Sequence, residues 1–157
     1  MRLSSALPVR FAALLASLWA GILLCIAAIA TPAVFATLAS ADAGRVVARI
    51  FQQEAYLSLA AAVVLFALER RRSRVDAATG AGSVFSADLM LLLGTLFCTV
   101  AGYFAVQPMM AAARAGQGTL SFGALHAISL GFFALKGLLV LALAWRLTSV
   151  RPVATTS

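Results

Sequence analysis

Residues 11–30 read FAALLASLWAGILLCIAAIA, and no charged residue occurs between Arg10 and Asp42. At about 1.5 Å of helix rise per residue, this run alone covers about 30 Å, the thickness of a bilayer's hydrocarbon core. It therefore reads as a membrane-spanning helix. A cleaved leader is the competing reading, because Arg2 and Arg10 precede an apolar stretch that ends Ala28-Ile29-Ala30. An apolar core of roughly 20 residues exceeds the roughly 7 to 15 of such leaders, so the helix is expected to stay with the chain.

The rest of the 157 residues agrees with a membrane solvent. The chain is 63% hydrophobic, only 11% charged, and has a mean hydropathy of +1.02. Its net charge of +7 comes almost wholly from arginine, Lys136 being the single lysine. The arginines cluster in short segments between apolar runs, where topology selection places them, so no nucleic-acid partner is expected.

Working outward, a second helix is drawn from about 46 to 68. Only residues 55–68 separate Glu54 from Glu69, roughly 21 Å of helix, so a crossing has to take Glu54 into the membrane. A cytoplasmic loop of about 69–86 follows, opening on Arg70-Arg71-Arg72-Ser73-Arg74 and containing Thr79-Gly80-Ala81-Gly82-Ser83. This glycine-containing stretch lacks the lysine of a phosphate loop and reads as a linker. A third helix of about 87–106 has Ser86 as N-cap, and a fourth of about 121–145 has Ser121 in that role. The fold class is an all-α membrane protein, a single domain over 1–157 formed by a four-transmembrane-helix bundle. Arginines at the N-terminus, in the central loop and at the C-terminus (Arg146, Arg151) outnumber Arg45, Arg49 and Arg114 on the other side. The positive-inside rule then puts both termini in the cytoplasm.

Small residues recur every four positions at Ala13, Ser17, Gly21 and Cys25, at Gly94, Cys98 and Gly102, and at Gly123, Ala127 and Gly131. Such stripes let helices approach closely in lipid, within one chain or between copies. Both cysteines lie on them, which makes them packing residues before redox or metal groups. Helices one and three each carry a stripe and reach Pro32 and Pro108, but the two features need different offsets, so the echo reads as chance.

Polar residues sort by depth. Arg45, Arg49, Gln52, Gln53 and Tyr56 share one sector of helix two, near the outer boundary. Gln107, His126 and Ser129 lie at a similar depth. Arg49 reads as an interfacial arginine contacting lipid phosphate or the outer loop, Asp42 included, with anion binding as the alternative. His126, the only histidine, cannot supply two haem ligands within one chain and reads as an interhelical hydrogen-bonding residue.

Glu54 and Lys136 lie inside the core, where each costs roughly 2.5 to 3.5 kcal/mol if alone and charged. They are each other's obvious partners. Their heights, counted from Glu69 and Arg146, differ by about 7 Å, so a protonated Glu54 or water in the bundle stays open as an alternative.

The fragments Trp19-Ala20-Gly21, Pro32-Ala33-Val34-Phe35, Ala43-Gly44 with Arg49-Ile50-Phe51, and Leu125-His126-Ala127-Ile128-Ser129 together resemble a bacterial four-helix membrane family of unknown function related to eukaryotic transmembrane protein 205. The resemblance implies a multi-pass protein of the bacterial cytoplasmic (inner) membrane with an uncleaved first helix, and it draws attention to Arg49, His126 and Ser129. It brings no reaction with it.

The expectation is a non-enzymatic protein without a cofactor, in which Arg45, Arg49, Gln53, Gln107, His126 and Ser129 bind a lipid headgroup, solute or partner. Membrane lipids and a second copy of the chain are the expected partners. Transport with Glu54 and Lys136 lining a path is the alternative. A further one is soft-metal handling by Met109, Met110 and His126.

Overall fold

The computed structural model describes residues 3–80, 83 and 85–149, with side chains from residue 7 onward. Arg2, Arg151, Ala81 and Gly82 lie outside the described residues. The chain forms four rods, each long and apolar enough to cross a membrane. The first is α1 (Leu3–Cys25), a π turn (Ile26–Ala30) and α2 (Thr31–Thr37). The second is α3 (Ser40–Ala78). The third is α4 (Ala87–Thr99), a π turn (Val100–Ala105) and α5 (Val106–Arg114). The fourth is α6 (Phe122–Ser149).

Both odd-numbered rods widen into a π turn just before their proline, Pro32 or Pro108. A proline ring clashes with the carbonyl four residues earlier and donates no N–H, and a wider turn ahead of it relieves both problems.

The rods close into a ring in which α1 packs on α3 and α6, and α4 packs on the same two. The second and fourth rods therefore face each other across the bundle axis. Leu3 and Ser149 share one end with Ala78 and Ala87, here the terminal end. The Leu38–Ala39 connection and the 115–121 turn share the distal end. In that turn Gly116 and Gly118 have φ of +72° and +101°, a backbone that side chains disfavour.

The bundle wears its polarity inside out. Leu14, Leu18, Val63, Phe97, Val100 and Leu138 are exposed, whereas Glu54, Ser58, Thr95, Thr99 and Lys136 are buried. An apolar girdle this extensive is what lipid requires. The buried core runs through Ala16, Trp19, Ala62, Leu65, Leu92, Val140 and Leu143.

Helix bounds differ from the sequence reading chiefly by extension. The second helix does not stop at residue 68 but continues to Ala78, so much of the expected 69–86 loop is helical. Arg72 approaches Glu69 at 3.7 Å and Asp76 at 3.8 Å, helix-spaced pairs that support the overhang, and Gly80 ends it with φ of +71°. The third rod likewise runs on to Arg114. Both caps form: Ser86 Oγ accepts from Leu89 N at 3.1 Å and Ser121 Oγ from Ala124 N at 3.2 Å.

The small-residue stripes divide. A Cβ added at Gly102 would stand 2.4 Å from Phe132 Cβ, and one at Gly94 would stand 3.0 Å from Leu139 Cδ1, so this stripe seats α6. Of the other two, only Ala13 packs against the core. Ser17, Gly21 and Cys25 on α1 and Gly123, Ala127 and Gly131 on α6 are exposed.

Candidate functional site: a polar chain across the bundle and a cavity at the distal end

The two intramembrane charges meet. Lys136 Nζ donates to both carboxylate oxygens of Glu54, at 2.7 and 2.8 Å, with both side chains almost wholly buried. Because α3 and α6 face each other across the ring, this pair lies across the bundle axis. Direct pairing has a structural reason. Ser86 donates to Glu69 at 2.7 Å and Arg146 to Asp88 at 2.5 Å. Ser86 precedes Asp88 by two residues, so Glu69 sits about 3 Å beyond Arg146 at the terminal end, and the height gap shrinks from about 7 to about 4 Å. The lysine side chain, leaning toward its helix N-terminus, closes the remainder.

The pair continues into a chain. Ser58, one helical turn after Glu54, donates to Glu54 Oε1, and its Oγ accepts from Trp19 Nε1 at 2.9 Å. The buried indole N–H thus finds its partner, and three rods are joined through polar atoms. The Phe133 ring faces the ammonium, its centre 5.2 Å from Nζ.

Above this pair a cavity of about 670 Å³ opens at the distal end, lined by all four rods. Glu54, Lys136 and Cys98 form its floor. Arg45, Gln107, Arg114, His126 and Ser129 line its upper part, and Phe35, Phe51, Met110, Leu130 and Phe133 give it apolar walls. Thr31 Oγ1, in the same lining, is the one buried side-chain polar atom among the described residues without a hydrogen-bond partner.

Of the residues singled out from sequence, Arg45, Gln107, His126 and Ser129 converge here with Glu54 and Lys136. Arg49 and Gln53 do not line the cavity. Both are exposed, and Arg49 donates to Gln52 at 2.8 Å. The face of α3 that turns inward carries Gly44, Val47, Ala48, Phe51 and Glu54, which leaves Arg49 and Gln53 on the far side. Asp42 pairs with Arg45 rather than Arg49.

Ser129 Oγ donates to Gly102 O at 3.0 Å, within the π turn. His126 is not an interhelical hydrogen-bonding residue among the described residues. Its ring stacks on Phe122, with centroids 5.9 Å apart, and Arg114 covers Phe122 at 4.5 Å. Met110 and His126 line the cavity, whereas Met109 is exposed and does not. Among the described residues no group of three or more His, Cys, Asp and Glu is placed to hold a metal ion.

Sequence reading missed Ser58, Trp19 and Arg114. Ser58 carried a signal, since it follows Glu54 by four residues and shares its face. Arg114 carried none beyond its charge.

Residues 14–119 match a protein family described as a domain of unknown function, DUF4149. No curated protein and no solved structure matches the chain. The matched stretch runs from the first rod through the third and holds Trp19, Glu54, Ser58 and Gln107, while Lys136 lies beyond it. With well over half its length matched, this chain of four rods apolar enough to cross a membrane belongs to the DUF4149 family, whose function is unknown.

Proposed function

We propose that this is a non-catalytic protein of the bacterial inner membrane, with both termini in the cytoplasm, that binds the anionic head of an amphipathic ligand in its distal cavity. The observation that carries the reading is the composition of the lining. Arg45, which Asp42 pairs, and Arg114 line the cavity together with the Glu54–Lys136 pair and walls of Phe51, Leu130 and Phe133. A phosphate or carboxylate head would meet guanidinium groups that favour planar, bidentate recognition, while an attached chain would lie against aromatic and aliphatic side chains. With the distal end outward, the cavity meets the outer leaflet, and a lipid headgroup and a free anion become two sources of one chemistry.

The resemblance to the family related to transmembrane protein 205 supports the inner-membrane placement. The exposed stripes Gly123-Ala127-Gly131 and Ser17-Gly21-Cys25 support self-association in lipid.

Native mass spectrometry from lipid discs tests the reading. From discs of mixed zwitterionic and acidic phospholipid, the protein should retain acidic lipid, and an Arg45→Gln, Arg114→Gln variant should lose it. Zwitterionic discs with added octyl phosphate distinguish a soluble anion from a lipid. Equal retention of both lipids, unchanged by the variant, together with no octyl phosphate bound, would overturn the proposal. Reporter fusions after Ser157 and at Gly116 test the topology; a C-terminus found outside would reverse it.

A further inference from the structure

The distal cavity has a counterpart. At the terminal end a second cavity of about 570 Å³ is also lined by all four rods, through Ala12, Leu65, Glu69, Arg72, Leu92 and Leu143 among others. The two lie on the same axis at opposite ends of the bundle. The layer between them is thin on three of the four rods, while on the first rod the nearest lining residues, Thr31 and Ala12, are nineteen residues or about 28 Å apart. Cys98 and Leu92 are six residues apart, Lys136 and Leu143 seven, and Glu54 and Leu65 eleven, which is roughly 9 to 16 Å along the rods.

That layer is packed without gaps in its side-chain shell. Ala16, Ser58, Thr95 and Val140 are 0% exposed, and Trp19 is 1% exposed. Its polar atoms are occupied. Thr95 and Thr99 donate back to carbonyls of their own helix at 2.8 Å, and Ser58 is held between Trp19 and Glu54.

We propose that the two cavities are halves of one transmembrane path, barred here by the Glu54–Lys136 pair and the Trp19–Ser58 layer beneath it. The pair is placed to act as the bar because it crosses the axis, joins the two facing rods and forms the floor of the distal cavity. It is also joined to the bulkiest side chain of the barrier, Trp19, through a single hydroxyl. An anion reaching the floor offers Lys136 a partner other than Glu54. Binding better where Lys136 is free, it would shift the protein toward the state in which the bar is released. The solute class rests on the proposed anion site; the existence of the path does not.

Sided thiol labelling in a Cys25→Ala background tests the path without knowledge of the solute. The probe is a membrane-impermeant, negatively charged methanethiosulfonate applied to spheroplasts and to inverted vesicles. Cys98 should react from one side only, and an Ala12→Cys variant, with Cys98 replaced by Ala, from the opposite side only. Adding Glu54→Gln should make Ala12→Cys react from the Cys98 side at least tenfold faster than in its parent. The double variant Glu54→Gln, Lys136→Met should do the same, and it serves where the single variant fails to fold. The path is refuted if either cysteine is inert from its own side, if both react from the same side, or if Ala12→Cys keeps its sidedness in both bar variants. Cys98 reacting from the cytoplasmic side would overturn the topology proposed above and leave the path standing.

Discussion

Removing one member of the Glu54–Lys136 pair is expected to harm the protein far more than removing both. Lys136→Met leaves a carboxylate whose side chain is 2% exposed, with Ser58 as its remaining donor. Glu54→Leu leaves an ammonium 4% exposed, with the Phe133 ring as its neighbour. Breaking a buried pair from one side typically costs about 3 to 5 kcal/mol, whereas exchanging the whole pair for apolar residues of similar volume is often close to neutral. A double-mutant cycle over Glu54→Leu and Lys136→Met should therefore give a coupling of at least about 3 kcal/mol, more than a hundredfold in the unfolding equilibrium. Unfolding in mixed micelles of rising dodecyl sulfate fraction, followed by circular dichroism, supplies the four stabilities. Additivity of the two single changes within about 0.5 kcal/mol would show that the charges do not hold each other.

Three further outcomes follow from the packing. Gly102→Ala should lower stability by about 1 to 3 kcal/mol in the same assay, because its Cβ would collide with Phe132 Cβ, and Phe132→Leu should not rescue it. Ser58→Ala orphans the Trp19 N–H and should cost about 1 kcal/mol, with a change in tryptophan emission that a Trp145→Phe background isolates. At the terminal end, Ser86→Ala should cost about 0.5 to 2 kcal/mol, since it removes both the α4 cap and a donor to Glu69. Arg146→Gln should cost about 1 to 3 kcal/mol, because the half-exposed guanidinium is the partner of the buried Asp88 carboxylate; thermal unfolding of the two variants side by side gives the order.

The four rods were legible because the membrane imposes one strong rule, about 20 apolar residues per crossing; three rods obey it outright and the second does so only with Glu54 inside its span. Both serine caps were legible for an equally local reason. Helix ends were less so. The 69–78 overhang is made of charged residues that a hydropathy reading assigns to a loop, yet Glu69, Arg72 and Asp76 sit at helix spacing.

The site was legible in depth but not in direction. Sequence placed Arg45, Gln107, His126 and Ser129 near one level, and they do share a cavity. Arg49 and Gln53, at that same level, face away, because the inward face of α3 is set by which neighbours it packs against. The meeting of Glu54 with Lys136 depended on the relative heights of two rods eighty-two residues apart in sequence. Those heights are fixed by the Glu69–Ser86 and Asp88–Arg146 contacts, which no single-helix reading contains.

The central claim is that the distal cavity is open, leads to a charged floor and favours anions. The most direct test compares reaction rates at Cys98, in a Cys25→Ala background in lipid discs, for a negatively charged methanethiosulfonate and its positively charged analogue, each normalised to its rate with free thiol. The account predicts that the anionic reagent is favoured severalfold and that Arg114→Gln reduces the preference. Equal normalised rates, a preference for the cation, or an inert Cys98 would contradict it.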